Sequence, residues 1–145
     1  PYFIVEQEFF DTMRYAAQRG VEVKMILPHI PDKKIVYYIA RNYYPKLLEA
    51  GIQVYEYTPG FVHAKVFSVD GSSATVGTIN LDYRSFYHHF ECGCYFYDSS
   101  VIQDIEADFQ RTLEDCQEVT MEYYKKLPLH QKLIGTLFKL IAPLM

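Results

Sequence analysis

The stretch His63-Ala64-Lys65-Val66-Phe67-Ser68-Val69-Asp70, followed after six residues by Gly77-Thr78-Ile79-Asn80, decides how this chain is read. Val62 to Val69 and Ala74 to Ile79 have the apolar content of two strands, and Asp70-Gly71-Ser72-Ser73 between them is a turn signal. On a strand, residues two apart point the same way, so His63 and Lys65 share a side. Thr78 and Asn80 do the same on the neighbouring strand. A hairpin therefore gathers a proton carrier or nucleophile, a fixed cation and two neutral hydrogen-bonding groups in one patch.

Outward from this hairpin, strands and helices alternate. Tyr2 to Val5 reads as a short strand. Glu6 to Arg19 places Phe9, Phe10, Met13, Ala16 and Ala17 on one helical face, and Gly20 stops it. Val21 to Leu27 is a buried strand, with Pro28 and Pro31 turning the chain and Asp32 placed to cap the next helix. That helix carries Ile35, Val36, Ile39, Ala40, Tyr43, Leu47 and Leu48 to Gly51, with Pro45 kinking or splitting it. Ile52 to Tyr57 is the next strand. Beyond the hairpin, Leu81 to His88 reads as a loop and His89 to Tyr97 as a strand. Ser99 or Ser100 then caps a helix bearing Val101, Ile102, Ile105, Phe109 and Leu113. The expected class is α/β, a layered fold with a mixed sheet flanked by helices.

Two units are expected: one domain over residues 1–126, and an amphipathic C-terminal helix within 127–145. In the second, Leu133, Ile134, Leu137, Phe138 and Ile141 form a stripe with Lys132 and Lys139 opposite. Either the helix lies on a membrane with its lysines toward headgroups, or it packs against another domain.

Composition narrows the function. The chain has 145 residues, half of them apolar and 17% aromatic, enough to build a core and to exclude a disordered tail. Fourteen basic against 18 acidic side chains leave a net charge of −4, so nucleic acid is not an expected partner. Three cysteines form no disulfide framework, and Cys92 and Cys94 read as small strand residues. No apolar run reaches the roughly 18 residues of a spanning helix.

The patch suits phosphoryl chemistry without a metal cluster. Lys65 is a point charge for a phosphate oxygen, and Thr78 and Asn80 can donate to others. An unprotonated imidazole at His63 can attack phosphorus and leave again, provided a carboxylate fixes its other nitrogen. Glu91 is the candidate orienting group. Asp70, at the turn, reads as architectural. His29, His88, His89 and His130 read as surface or loop histidines, although His89 shares strand parity with Glu91. Arg84 meets either a lipid phosphate or an acidic neighbour. The pairs Tyr37-Tyr38, Tyr43-Tyr44 and Tyr123-Tyr124 read as half-buried packing.

The spacing His-x-Lys, four residues, Asp, six residues, Gly-x-x-Asn resembles the signature of the phospholipase D superfamily. Five fixed positions match by chance at roughly one start in three million. The run Gly77-Thr78-Ile79-Asn80-Leu81-Asp82-Tyr83-Arg84-Ser85-Phe86 with His89-Phe90-Glu91 is similar to the bacterial cardiolipin synthase branch. So are Pro1-Tyr2-Phe3, Val36-Tyr37-Tyr38, the segment Glu49 to Tyr57, Lys126-Leu127-Pro128 and Ala142-Pro143-Leu144-Met145. Thr78 stands where many members of the superfamily have Ser, which keeps the hydroxyl.

The resemblance implies a phospholipase D-like fold and two such motifs facing each other, one histidine attacking phosphorus while the other protonates the leaving alcohol. One motif is present here, so the chain reads as the C-terminal catalytic half of a longer enzyme. The implied reaction joins two phosphatidylglycerols into cardiolipin and glycerol through a phosphohistidine. His63, Lys65, Asp70 and Glu91 are the implied catalytic set, His63 being either the nucleophile or the general acid, and Lys65, Thr78 and Asn80 the phosphate-binding set, with no cofactor. The implied partners are phosphatidylglycerol, cardiolipin, a membrane surface, and the missing half or a second copy of the chain. The implied location is the bacterial cell membrane, with spanning segments upstream. On its own the chain would be weakly active or inactive. Two rival readings are a single-motif phosphodiesterase (phospholipase or nuclease) working as a homodimer, and a non-catalytic lipid-binding half.

Overall fold

The computed structural model describes residues 1–144; Met145, the last residue of the expected C-terminal segment, and the Leu144 side chain lie outside the described residues. In chain order the elements are β1 (Phe3–Ile4), α1 (Gln7–Gln18), β2 (Lys24–Pro28), α2 (Lys34–Arg41), α3 (Tyr44–Glu49), β3 (Gln53–Tyr57), β4 (Val66–Val69), β5 (Ser73–Gly77), β6 (Leu81–Asp82), β7 (Gly93–Tyr97), α4 (Val101–Glu114), β8 (Cys116–Glu118), α5 (Met121–Lys126) and α6 (Leu129–Lys139). The α/β class stands, but hydrogen bonding sorts the strands into three small sheets. β1 pairs parallel with β6; β2 and β3 run parallel, with β8 antiparallel on β3; and β4, β5 and β7 form an antiparallel meander.

Local chemistry explains most boundaries. Gly20, at φ +92°, ends α1 in a conformation that a side chain would resist. Pro45 splits the long expected helix, sitting in the first turn of α3, where its missing N–H costs nothing. Asp32 is not the N-cap of α2, which starts after Lys33 without a side-chain cap; its carboxylate instead accepts the Tyr2 hydroxyl. Ser100 does occupy the N-cap of α4, again without a side-chain bond, and the Ser99 carbonyl takes the Ile102 N–H.

The core joins β1 to β2, β3, α2 and α3 through Phe3, Ile4, Leu27, Ile39, Tyr44, Leu47, Ile52 and Val54. Within it lies a carboxylate, on the inward parity that Ile52 and Val54 set along β3. Glu56 of β3 is fully buried and accepts from Arg41 Nε (2.9 Å) and Nη2 (2.8 Å), Tyr44 (2.8 Å) and Tyr123 (2.7 Å), with His29 Nδ1 at 2.7 Å. His29 is therefore no plain surface residue. Arg41 stacks on the Tyr37 ring at 4.1 Å, so the tyrosine pairs do pack, some of them around this charge.

The C-terminal helix sits the opposite way round from the membrane orientation expected of its lysines. Gly135 faces α2 so closely that a Cβ would lie 2.3 Å from the Tyr38 carbonyl oxygen. Asn42 Nδ2 donates to the Lys132 carbonyl at 3.1 Å, and the Lys139 amine lies 3.8 Å from the Tyr43 ring centroid. The lysines thus face the protein, and Leu129, Leu133, Leu137 and Leu140 face outward.

Candidate active site

Around the β4–β5 hairpin, His63, Lys65, Thr78, Asn80, His89 and Glu91 line one open cavity of about 470 Å³. The expected four-group patch therefore forms, although by a different backbone. β4 starts only at Val66, and residues 61–65 approach it as irregular chain. Pairing still reaches one step beyond the strand, because the Gly77 N–H donates to the Lys65 carbonyl at 3.2 Å. Gly77 itself is required by close approach: a Cβ there would lie 2.4 Å from the Cys92 carbonyl oxygen and 2.6 Å from Gly93 Cα. Asp70 sits in the turn at φ +51° and, unlike the rest of the expected catalytic set, does not line the cavity.

Thr78 belongs to a network rather than to a strand. Its N–H donates to the Cys92 carbonyl at 2.9 Å, and its hydroxyl oxygen accepts the Cys92 N–H at 2.9 Å and donates to Glu91. Cys92 thus contributes backbone, and both Cys92 and Cys94 are exposed. The segment expected as a loop supplies the rest. β6 pairs with β1, and residues Arg84–His88 form one turn of π-helix. The buried Asp82 carboxylate accepts the Ser85 N–H at 2.8 Å, and Ser85 Oγ accepts the Asn80 N–H at 3.0 Å. Asn80 is thereby fixed from behind, while its Oδ1 is buried without a partner, an acceptor ready for a bound donor.

Glu91 lies in the cavity but does not bond to His63. It accepts from Thr78 and pairs with His89 Nε2 at 3.1 Å. Hydrogen bonds from Ser85 and Thr78 hold its carboxyl below the usual range. His89 and Ser85 are the residues that sequence reasoning passed over; parity with Glu91 was the signal for the first. Arg84 is exposed, lies off the cavity and makes no ion pair among the described residues. His88 bonds the Pro143 carbonyl at 3.0 Å, and His130 packs edge-on to Tyr38.

His63 is exposed, with its ring against Phe61 at 5.3 Å. Lys65 Nζ donates to the His63 carbonyl at 2.7 Å, leaving two N–H groups for a ligand. Desolvation first, and the Lys65 charge second, lower the His63 pKa and so favour the unprotonated ring. Titration of His63 followed by NMR should therefore have its midpoint below the ordinary histidine value, and Lys65→Met should raise it. An unmoved midpoint in that variant would show that the two groups do not communicate.

The sequence model described as cardiolipin synthase, PLD-like domain matches residues 1–113. The chain belongs to this family. Cardiolipin synthase 2 of Bacillus anthracis is 38% identical over 145 residues, which cover all of this chain and 28% of that protein. An uncharacterized protein of Streptococcus mutans is 52% identical over 145 residues, covering 32% of its length. The chain thus spans about a third or less of these curated relatives. Phosphatidylserine synthase from Haemophilus influenzae superposes on the whole chain and 40% of its own, with a TM-score of 0.75 and 16% identity. Nuc, a phospholipase D family member from Salmonella typhimurium, covers 81% of this chain and 77% of its own, at 0.68 and 18%. These two neighbours establish that the cardiolipin synthase-type domain has the phospholipase D-like fold. Among its described residues no helix is long and apolar enough to cross a membrane.

Proposed function

We propose that this chain is the C-terminal catalytic half of a phosphatidyltransferase that joins two phosphatidylglycerols into cardiolipin and glycerol. The observation that carries the reading is the convergence of His63, Lys65, Thr78, Asn80 and Glu91 on one open cavity in a member of the cardiolipin synthase family. A neutral ring nitrogen of His63 attacks phosphorus, the bond from phosphorus to the glycerol oxygen breaks, and an acid of the facing motif protonates that oxygen. The hydroxyl of the second phosphatidylglycerol then returns its proton to that group and attacks phosphorus. The P–N bond breaks, cardiolipin leaves, and His63 is free again.

Lys65 holds phosphate oxygens and offsets charge that builds on them in the transition state, and Thr78 joins it when its hydroxyl turns its proton from Glu91 to the phosphate. The unpartnered Oδ1 of Asn80 accepts from a bound hydroxyl, or its amide turns and offers Nδ2 to phosphate. Glu91 keeps Thr78 and His89 in place, and Asp70 holds the turn. The exposure of His63, Thr78 and His89 fits a half-site completed by the facing half or by a second copy, and the chain alone should be weakly active or inactive. The C-terminal helix beyond residue 126 packs on α2 and turns its outer face to the bacterial membrane.

Incubation of the longer protein that contains this chain with phosphatidylglycerol tests the reading. Equimolar cardiolipin and glycerol are expected. Phosphatidic acid as the sole product would make the enzyme a phospholipase, and cleavage of DNA with intact lipid would make it a nuclease.

A further inference from the structure

Leu129, Leu133, Leu137 and Leu140 follow one another at helical spacing along α6 and are 69%, 62%, 63% and 80% exposed. The helix cannot roll to hide them. Gly135 is wedged against the Tyr38 carbonyl on the opposite side, and Lys139 is seated over the Tyr43 ring. Charge distinguishes what covers this stripe. Residues 121–145 contain four lysines and a single acidic residue, Glu122, in a chain whose net charge is −4. Lys125 and Lys126 are exposed where α5 runs into the stripe, Lys126 in a solvent-facing pair with Glu122 at 2.7 Å. An apolar face with a basic border inside an acidic protein complements an anionic lipid surface.

We propose that the outward leucine face of α6 docks on an anionic bilayer, with Lys125 and Lys126 at the headgroups and Lys132 and Lys139 bracing the helix against the domain. Docking there would set the cavity near the lipid. The end of the chain is tied to the site through Pro143, whose carbonyl bonds to His88, one residue before His89 of the cavity. The inference stands apart from the catalytic reading, because binding is measured without turnover.

Flotation of the chain with mixed phosphatidylcholine–phosphatidylglycerol vesicles, and with phosphatidylcholine alone, tests the proposal. The wild-type chain should float with the mixed vesicles only. Leu133→Ser with Leu137→Ser should weaken partitioning by about tenfold or more, with circular dichroism and melting unchanged. Lys125→Glu with Lys126→Glu should weaken it on mixed vesicles and steepen its loss with salt. Val69→Ser, on the uncovered sheet face, should leave it alone. Undiminished binding by the folded leucine variant would overturn the proposal. So would a wild-type chain that ignores the anionic vesicles but forms a dimer that the leucine variant breaks.

Discussion

His63→Ala is expected to lower phosphatidyl transfer by at least about 10⁴-fold in the longer protein, the scale on which losing a nucleophile or its proton partner acts. The ring donates to and accepts from no described residue, and its one aromatic contact, with Phe61, is at the surface. Removing it should therefore change folding stability by less than about 0.5 kcal/mol. The pairing of a large kinetic effect with a negligible thermodynamic one is the signature to look for. Turnover and thermal melting measured on the same preparation check it. A folded variant with unimpaired turnover would remove His63 from the reaction. Equal losses of stability and turnover would make the residue a structural one.

Glu56→Ala should produce the largest loss of stability, about 3–5 kcal/mol. That is a large share of the roughly 5–15 kcal/mol that holds a domain together. The cost comes from what is left behind: the Arg41 guanidinium, 6% exposed, loses its counter-charge and keeps only the neutral acceptors Gln131 and Tyr123, and the Tyr44 hydroxyl, 1% exposed, loses its acceptor. Glu56→Leu combined with Arg41→Met should cost less than the two single changes together, because neither stranded charge remains. The pH dependence has a definite sign. Burial pushes the Glu56 carboxyl up, but the Arg41 hydrogen bonds and charge, with His29 and Tyr123, outweigh it and bring it below the ordinary carboxylate range. A group lowered on folding contributes stability above its unfolded pKa and loses it as pH falls through the folded one. Acid unfolding should therefore steepen below about pH 4.5 in the wild type, and this component should vanish in the Glu56→Ala variant. Denaturant melts across pH measure both effects.

The difference between these two residues explains what could be read from sequence. His63 stands in a motif whose members are close in the chain. Spacing alone brought His63, Lys65, Thr78 and Asn80 together, even though the strands proved shorter than expected. Gly77 was legible for the same reason, since the close pass of β5 and β7 leaves no room for a Cβ. Pro45 split its helix as backbone chemistry requires. Glu56 was hidden because its donors come from α2, α3 and α5 and from the end of β2, and no local pattern reports such convergence. The same holds for α6: apolar periodicity located the helix, but which face turns inward depends on Gly135 meeting Tyr38 and on tyrosine rings offered to Lys132 and Lys139. β8 is only three residues long, too short for any period to show. Glu91 lines the cavity and bonds to Thr78 and His89 rather than to His63, the group it was expected to orient. His89 and Glu91 both precede β7 as irregular chain, so their pairing is not strand parity, and the link of Glu91 to Thr78 arises where the antiparallel pair β5–β7 ends.

The central claim, that His63 carries the phosphatidyl group, is tested most directly by trapping it. The longer protein is mixed with phosphatidylglycerol labelled in the phosphate, quenched with alkali to spare phosphohistidine, and digested for mass spectrometry. The account predicts label on the peptide containing His63, appearing within a turnover and discharged by added phosphatidylglycerol as cardiolipin forms. Normal turnover with label on another residue, or with no covalent label at all, would contradict it.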